Sequence, residues 1–135
     1  MSKAMPVISK YMTTQPHTIG SDQTLEKAGV LMREFHIRHL PVLKGGKIVG
    51  ILTERDLHLV ETLKGVDPKV LTVSEAYTPD PYIVSPQAPL DEVCAEMASH
   101  KYGSVLVEDN HKLVGIFTWV DGLVAMSELL GTRLK

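Results

Sequence analysis

Thr and Asp recur together at one spacing in two places. Residues 50–56 read GILTERD and residues 115–121 read GIFTWVD, so Thr53 stands three residues before Asp56 and Thr118 three before Asp121. Each pair ends an apolar run and opens a segment of helical spacing, which puts it where a strand passes into a helix. There the two residues have a structural use: Thr caps a free N–H, and Asp complements the helix dipole. They also have a use in recognition. A helix N-terminus attracts phosphate, a Thr hydroxyl adds a hydrogen bond, and a carboxylate one turn on accepts from paired ribose hydroxyls. Both uses are open to either copy.

The elements that hold these pairs repeat as well. Position 115 minus position 50 is 65, and this offset aligns the chain with itself without a gap. It superposes Thr13 on Thr78, Pro16 on Pro81, Leu25 on Leu90, Met32 on Met97, Val42 on Val107 and Lys47 on Lys112. Two copies of one unit follow, at 8–64 and 77–130, joined by a linker at 65–76 that contains Gly65 and Pro68. In the first copy, residues 21–24 (SDQT) offer caps before Leu25, Ala28, Met32 and Phe35. In the second, Pro86 and Pro89 open the helix, with Leu90, Val93, Cys94 and Met97 as its apolar side.

Strand patterns at 39–43 and 104–108 pass through short turns into strands at 47–52 and 112–117, a hairpin in each copy. Helices at 53–64 and 118–130 follow, and extended stretches at 17–19 and 82–84 precede. The expected fold class is α+β (α/β): two tandem repeats of helix, β-hairpin and helix with an extra N-terminal strand. One such unit is too small to cover its own sheet and helices, so the two are expected to pack with pseudo-twofold symmetry.

Composition narrows the function classes. The chain has 135 residues, 44% hydrophobic and 22% charged, with a formal net charge of −2. That describes a globular protein and disfavours nucleic acid as its main partner. No apolar run reaches the length of a membrane span, the first twelve residues make a poor signal peptide, and the single Cys94 has no partner for a disulfide. The expected location is cytoplasmic. His36 and His39 lack a third ligand at metal-site spacing, and no Cys-x-x-Cys, Walker loop or Gly-x-Ser-x-Gly is present. With no nucleophile paired to a base, the expectation is a non-enzymatic protein without a catalytic cofactor or a metal.

The doubled helix–hairpin–helix unit, residues 39–42 (HLPV) and Gly-Ile-x-Thr-x-x-Asp in both copies resemble the CBS domain, and the tandem arrangement resembles a CBS pair, or Bateman module, over nearly the whole chain. The resemblance implies two clefts for adenosine ligands. Cleft 1 would use Thr53 and Asp56, with Arg38 and His39 as basic residues and Tyr77, Tyr82, Ile83, Tyr102 and Gly103 around the adenine. Cleft 2 would use Thr118 and Asp121 with Met12, His17, Thr18, Ile19, Ile37 and Ser104. Gly103 and Ser104 replace Arg38 and His39 there, so cleft 1 is the better equipped for a phosphate. The implied ligand is AMP, ADP or ATP, with S-adenosylmethionine or NAD as alternatives. A regulatory homodimer is implied, with residues 57–63 and 123–130 and Trp119 at the interface, acting on a separate effector protein; a scaffolding dimer without ligand is the alternative.

Overall fold

The computed structural model describes residues 4–133, which contain four α-helices and eight strands. In chain order these are β1 (Thr13–Thr14), β2 (Ile19–Gly20), α1 (Leu25–Phe35), β3 (His39–Lys44), β4 (Lys47–Thr53) and α2 (Glu54–Glu61). Then come β5 (Thr78–Pro79), β6 (Ile83–Val84), α3 (Leu90–His100), β7 (Ser104–Asp109), β8 (Lys112–Thr118) and α4 (Trp119–Arg133). They form two compact units. One is Pro16–Pro81; the other joins Tyr82 onward to the N-terminal residues up to Gln15.

Each unit holds one four-stranded sheet, ordered β2-β3-β4-β5 in the first and β1-β8-β7-β6 in the second. The hairpins are antiparallel, pairing His39 with Thr53 and Ser104 with Thr118, and both carry an irregularity at the same place, Val42/Leu43 and Val107/Glu108. The strand before each first helix lies parallel to the hairpin, Ile19 beside Val42 and Ile83 beside Leu106. The sequence foreshadows those three strands. The fourth strand comes from elsewhere: β1, at the head of the first repeat, pairs with β8 of the second, while β5, at the head of the second, pairs with β4 of the first. Each repeat therefore gives its leading strand to the other's hairpin.

Two glycines receive these donated strands. A Cβ on Gly50 would strike the Tyr77 ring and the Thr78 carbonyl, and a Cβ on Gly115 would strike the Met12 thioether. Met12 and Tyr77 are themselves 65 apart. The segments around them match too. Ile8 and Val73 are fully buried, each at the start of a short 3-10 helix. Ile8 N–H donates to Ala88 O, and Val73 N–H to Gln23 O. Residues 72–76, within the expected linker, thus bind the first unit through backbone hydrogen bonds.

Each unit has its own core. Leu25, Ala28, Met32, Leu40, Val42, Leu52 and Leu57 cluster in the first; Leu90, Val93, Met97, Val105, Val107, Phe117 and Ala125 cluster in the second. Helical spacing in the sequence picks out Leu25, Ala28, Met32, Leu90, Val93 and Met97 among them, with two corrections. Cys94, expected in the core, is exposed on α3, where partial burial of the thiol and the nearby Asp91 raise its pKa. Phe35 is exposed as well and stacks on His17 at 3.8 Å between ring centroids. Thr24 caps α1 by accepting from Lys27 N–H at 3.2 Å. Pro89 stands at the N-cap of α3, not inside its first turn, and offers no side-chain cap. α1 and α3 both end on a left-handed residue that is not glycine, His36 at φ 53 and Lys101 at φ 59.

Candidate functional site

The strand-to-helix corner is built the same way in both units. Arg38 O accepts from Glu54 N–H at 2.9 Å, and Gly103 O accepts from Trp119 N–H at 3.2 Å, so the start of the first hairpin strand fixes the start of the following helix. In the first unit Thr53 N–H donates to Asp56 Oδ2 at 2.9 Å, and Asp56 N–H donates to Thr53 Oγ1 at 3.1 Å. This is a capping box, which satisfies two backbone donors and fixes both side chains. The structural use of the pair is thus realised. Among the described residues Asp56 Oδ1 has no hydrogen-bond partner, so one oxygen of an oriented carboxylate remains available.

The second corner is more committed. Thr118 N–H donates to Asp121 Oδ2 at 2.9 Å, and the return bond to Thr118 Oγ1 is longer, at 3.5 Å. Thr13 from the donated strand β1 adds its hydroxyl, 3.3 Å from Asp121 Oδ1 and 3.5 Å from Oδ2. Both oxygens of Asp121 therefore meet protein donors. Thr13 was not among the expected site residues. The sequence signal for it was the identity of Thr13 with Thr78 at the repeat offset.

The electrostatics of the first corner differ from expectation at His39. The residue is half-buried, and burial together with the adjacent Arg38 charge holds its pKa below the usual 6.5, with Asp56 opposing more weakly. His39 is therefore neutral near pH 7 and offers a hydrogen bond, not a charge. Arg38 carries the positive charge of this segment and is one of the residues lining a groove between α1 and α2.

The remaining expected residues divide between the two units. Tyr77 lies in the unit of Thr53 and Asp56, half-buried over Gly50. Tyr82, Ile83, Tyr102 and Gly103 lie in the other unit. There the Tyr82 and Tyr102 rings are 5.4 Å apart, and Tyr102 stacks on His100 at 5.1 Å, which gives a partly exposed aromatic cluster. Burial raises the Tyr82 pKa, with Glu96 and Glu92 adding to the shift, so its hydroxyl stays protonated and can donate. Met12 and Ser104 share the unit of Thr118 and Asp121. His17, Thr18, Ile19 and Ile37 belong to the first unit; His17 is exposed, but Ile19 is buried in its core beside Val42.

Residues 8–60 and 73–128 each match the CBS domain. The chain belongs to the CBS domain family, with two tandem copies. It is 32% identical over 112 residues to the CBS domain-containing protein YhcV of Bacillus subtilis, covering 83% of this chain and 79% of that one. It is 31% identical over 134 residues to inosine-5′-monophosphate dehydrogenase of Korarchaeum cryptofilum, which is 98% of this chain but 27% of the enzyme. Among solved structures it resembles the CBS domain pair of protein MJ0100 in complex with 5′-methylthioadenosine and S-adenosyl-L-methionine. The TM-score is 0.81 at 26% identity, over 96% of this chain and 99% of that one. Among the described residues no helix is long and apolar enough to cross a membrane.

Proposed function

We propose that this CBS pair is a non-catalytic regulatory module whose ligand carries an adenosine group, bound first at the Thr53/Asp56 corner. One observation carries the reading: a capping box holds Asp56 in place while one of its carboxylate oxygens keeps no partner among the described residues. That oxygen suits a ribose hydroxyl, and the adenosine ligands of the MJ0100 pair belong to the same chemical class. Asp121 spends both oxygens on Thr118 and Thr13, which ranks its corner second. AMP, ADP or ATP would draw on Arg38, the exposed cation whose backbone is tied to the start of α2 at this corner. A neutral His39 favours, as a second reading, an adenosine ligand without phosphate such as S-adenosylmethionine.

The module would signal by favouring one arrangement of itself, through a two-fold dimer or a separate effector protein. In support, α4 exposes Trp119, Val120, Leu123, Val124, Met126 and Leu130, and α2 exposes Leu59. Isothermal titration with AMP, ATP, S-adenosylmethionine and 5′-methylthioadenosine tests the reading. Wild type should bind at least one, and Arg38→Ala should weaken only the phosphate-bearing ligands. Absence of binding by all four would refute the sensor and leave a scaffold. Light scattering of wild type beside Leu123→Glu tests the dimer.

A further inference from the structure

Among the described residues α4 leaves more apolar side chain open than any other helix. Trp119, Val120, Leu123, Val124, Met126 and Leu130 are each between 51 and 57% exposed. At about 3.6 residues per turn they fall on one side of the helix, where Ser127 and Gly131 are the only other members. Ala125, on the opposite side, is buried in the core of the second unit. The open side thus carries no charge. Six half-exposed side chains of this size present on the order of 600 Å² of apolar surface, most of the roughly 800 Å² that each partner gives to a standard interface.

The equivalent side of the first repeat has another chemistry. The 65-residue offset puts Glu54, Arg55, His58, Leu59, Glu61 and Gly65 at the positions of those six. Only Leu59 keeps an apolar side chain there. Arg55, His58 and Glu61 are exposed and Glu54 is half-exposed. Two faces that the repeat makes equivalent in position therefore cannot stand in for each other as contact surfaces.

We infer that two copies of this chain join like to like, α4 of one on α4 of the other, so that the second unit meets the second unit. The inference rests on the two-fold dimer proposed above and says which faces meet in it. A two-fold axis through α4 sets the same uncharged face against itself. The opposite arrangement, α4 on the partner's α2, would press the side chains equivalent to Glu54, Arg55 and Glu61 onto Trp119, Leu123 and Met126. Those charges would lose water and gain no partner, which is costly. The charged face of α2 thus acts as the repulsive element that fixes orientation. The seam also begins inside the second Thr-x-x-Asp corner, because Trp119 follows Thr118 directly and its N–H donates to Gly103 O at 3.2 Å.

The test combines light scattering with thiol cross-linking in a Cys94→Ser background, which removes the exposed native thiol. Ser127→Cys and Thr62→Cys place single thiols at equivalent exposed positions, one on the α4 face and one at the end of α2. With a short bismaleimide, Ser127→Cys alone should give covalent dimers, and a mixture of the two variants should give no cross-link between them. Leu123→Glu should weaken the dimer more than about 100-fold, while His58→Glu should leave it intact. Trp119 is the single tryptophan, so its emission should move to shorter wavelength as protein rises from about 1 to 100 μM, a range that brackets micromolar dissociation constants. A cross-link that forms only in the mixture would overturn the orientation and keep the dimer. A monomer throughout that range would overturn the dimer itself and the seam with it. A dimer that survives Leu123→Glu, with Ser127→Cys unlinked, would overturn the assignment of α4.

Discussion

Asp56 is where the structural and binding uses of the Thr-x-x-Asp corner can be pulled apart. Replacing it with alanine deletes the acceptor for Thr53 N–H and the carboxylate at the α2 N-terminus. A lost cap costs about 1 kcal/mol and a lost first-turn charge about 0.3–1 kcal/mol, so the sum is on the order of 1–2 kcal/mol. For a chain of 135 residues, unfolding entropy of about 2.1 cal/mol/K per residue makes each kcal/mol worth roughly 3–4 °C in midpoint. If the Pro16–Pro81 unit melts alone, the same loss moves its midpoint about twice as far.

Asp56→Asn behaves differently. Its amide oxygen can still accept from Thr53 N–H, so only the charge is lost, and the midpoint should fall by no more than about 3 °C. Hydrogen bonds to a charged group are worth about 1.5–3 kcal/mol, so affinity for the adenosine ligand should fall about 10- to 100-fold. Calorimetry and titration on both variants give the answer. Unchanged affinity in Asp56→Asn would sink the site assignment, and an unshifted midpoint in Asp56→Ala would sink the capping argument.

Gly50→Ala should be the more damaging of two matched substitutions, costing about 1–3 kcal/mol or more, because its Cβ meets an aromatic ring and a backbone carbonyl. Gly115→Ala meets the flexible Met12 side chain and should cost less; equal losses in urea unfolding would refute the distinction. Lys101→Gly should stabilise α3 by up to about 1 kcal/mol, since a left-handed C-cap favours glycine; a lowered midpoint would count against it. His39 gives a pH dependence. Its folded pKa is depressed, so the unfolded chain takes up the proton first. Stability should be full above about pH 6.5 and decline as pH falls below it toward the folded pKa. His39→Gln should flatten that part of the stability profile, and an unchanged slope would show that other groups produce it.

Much of this protein follows from local pattern. Leu25, Ala28 and Met32 recur at helical spacing, HLPV and KIVGIL are short apolar runs with a turn between them, and the 65-residue offset repeats the set. Periodicity and capping act over a few residues, so the sequence by itself determined the helices, the hairpins, the two Thr-x-x-Asp corners and the family. Three matters needed the tertiary structure. Strands β1 and β5 cross to the opposite hairpin, because two-residue strands carry no pattern of their own and take the pairing that glycine leaves open at Gly115 and Gly50. Asp56 and Asp121 look alike in sequence and differ in space, because only Asp121 receives the hydroxyl of a residue 108 positions away. The charges of the α1/α2 groove look like ordinary solvated surface when read along the chain. They come together in one groove only once α1 and α2 pack side by side.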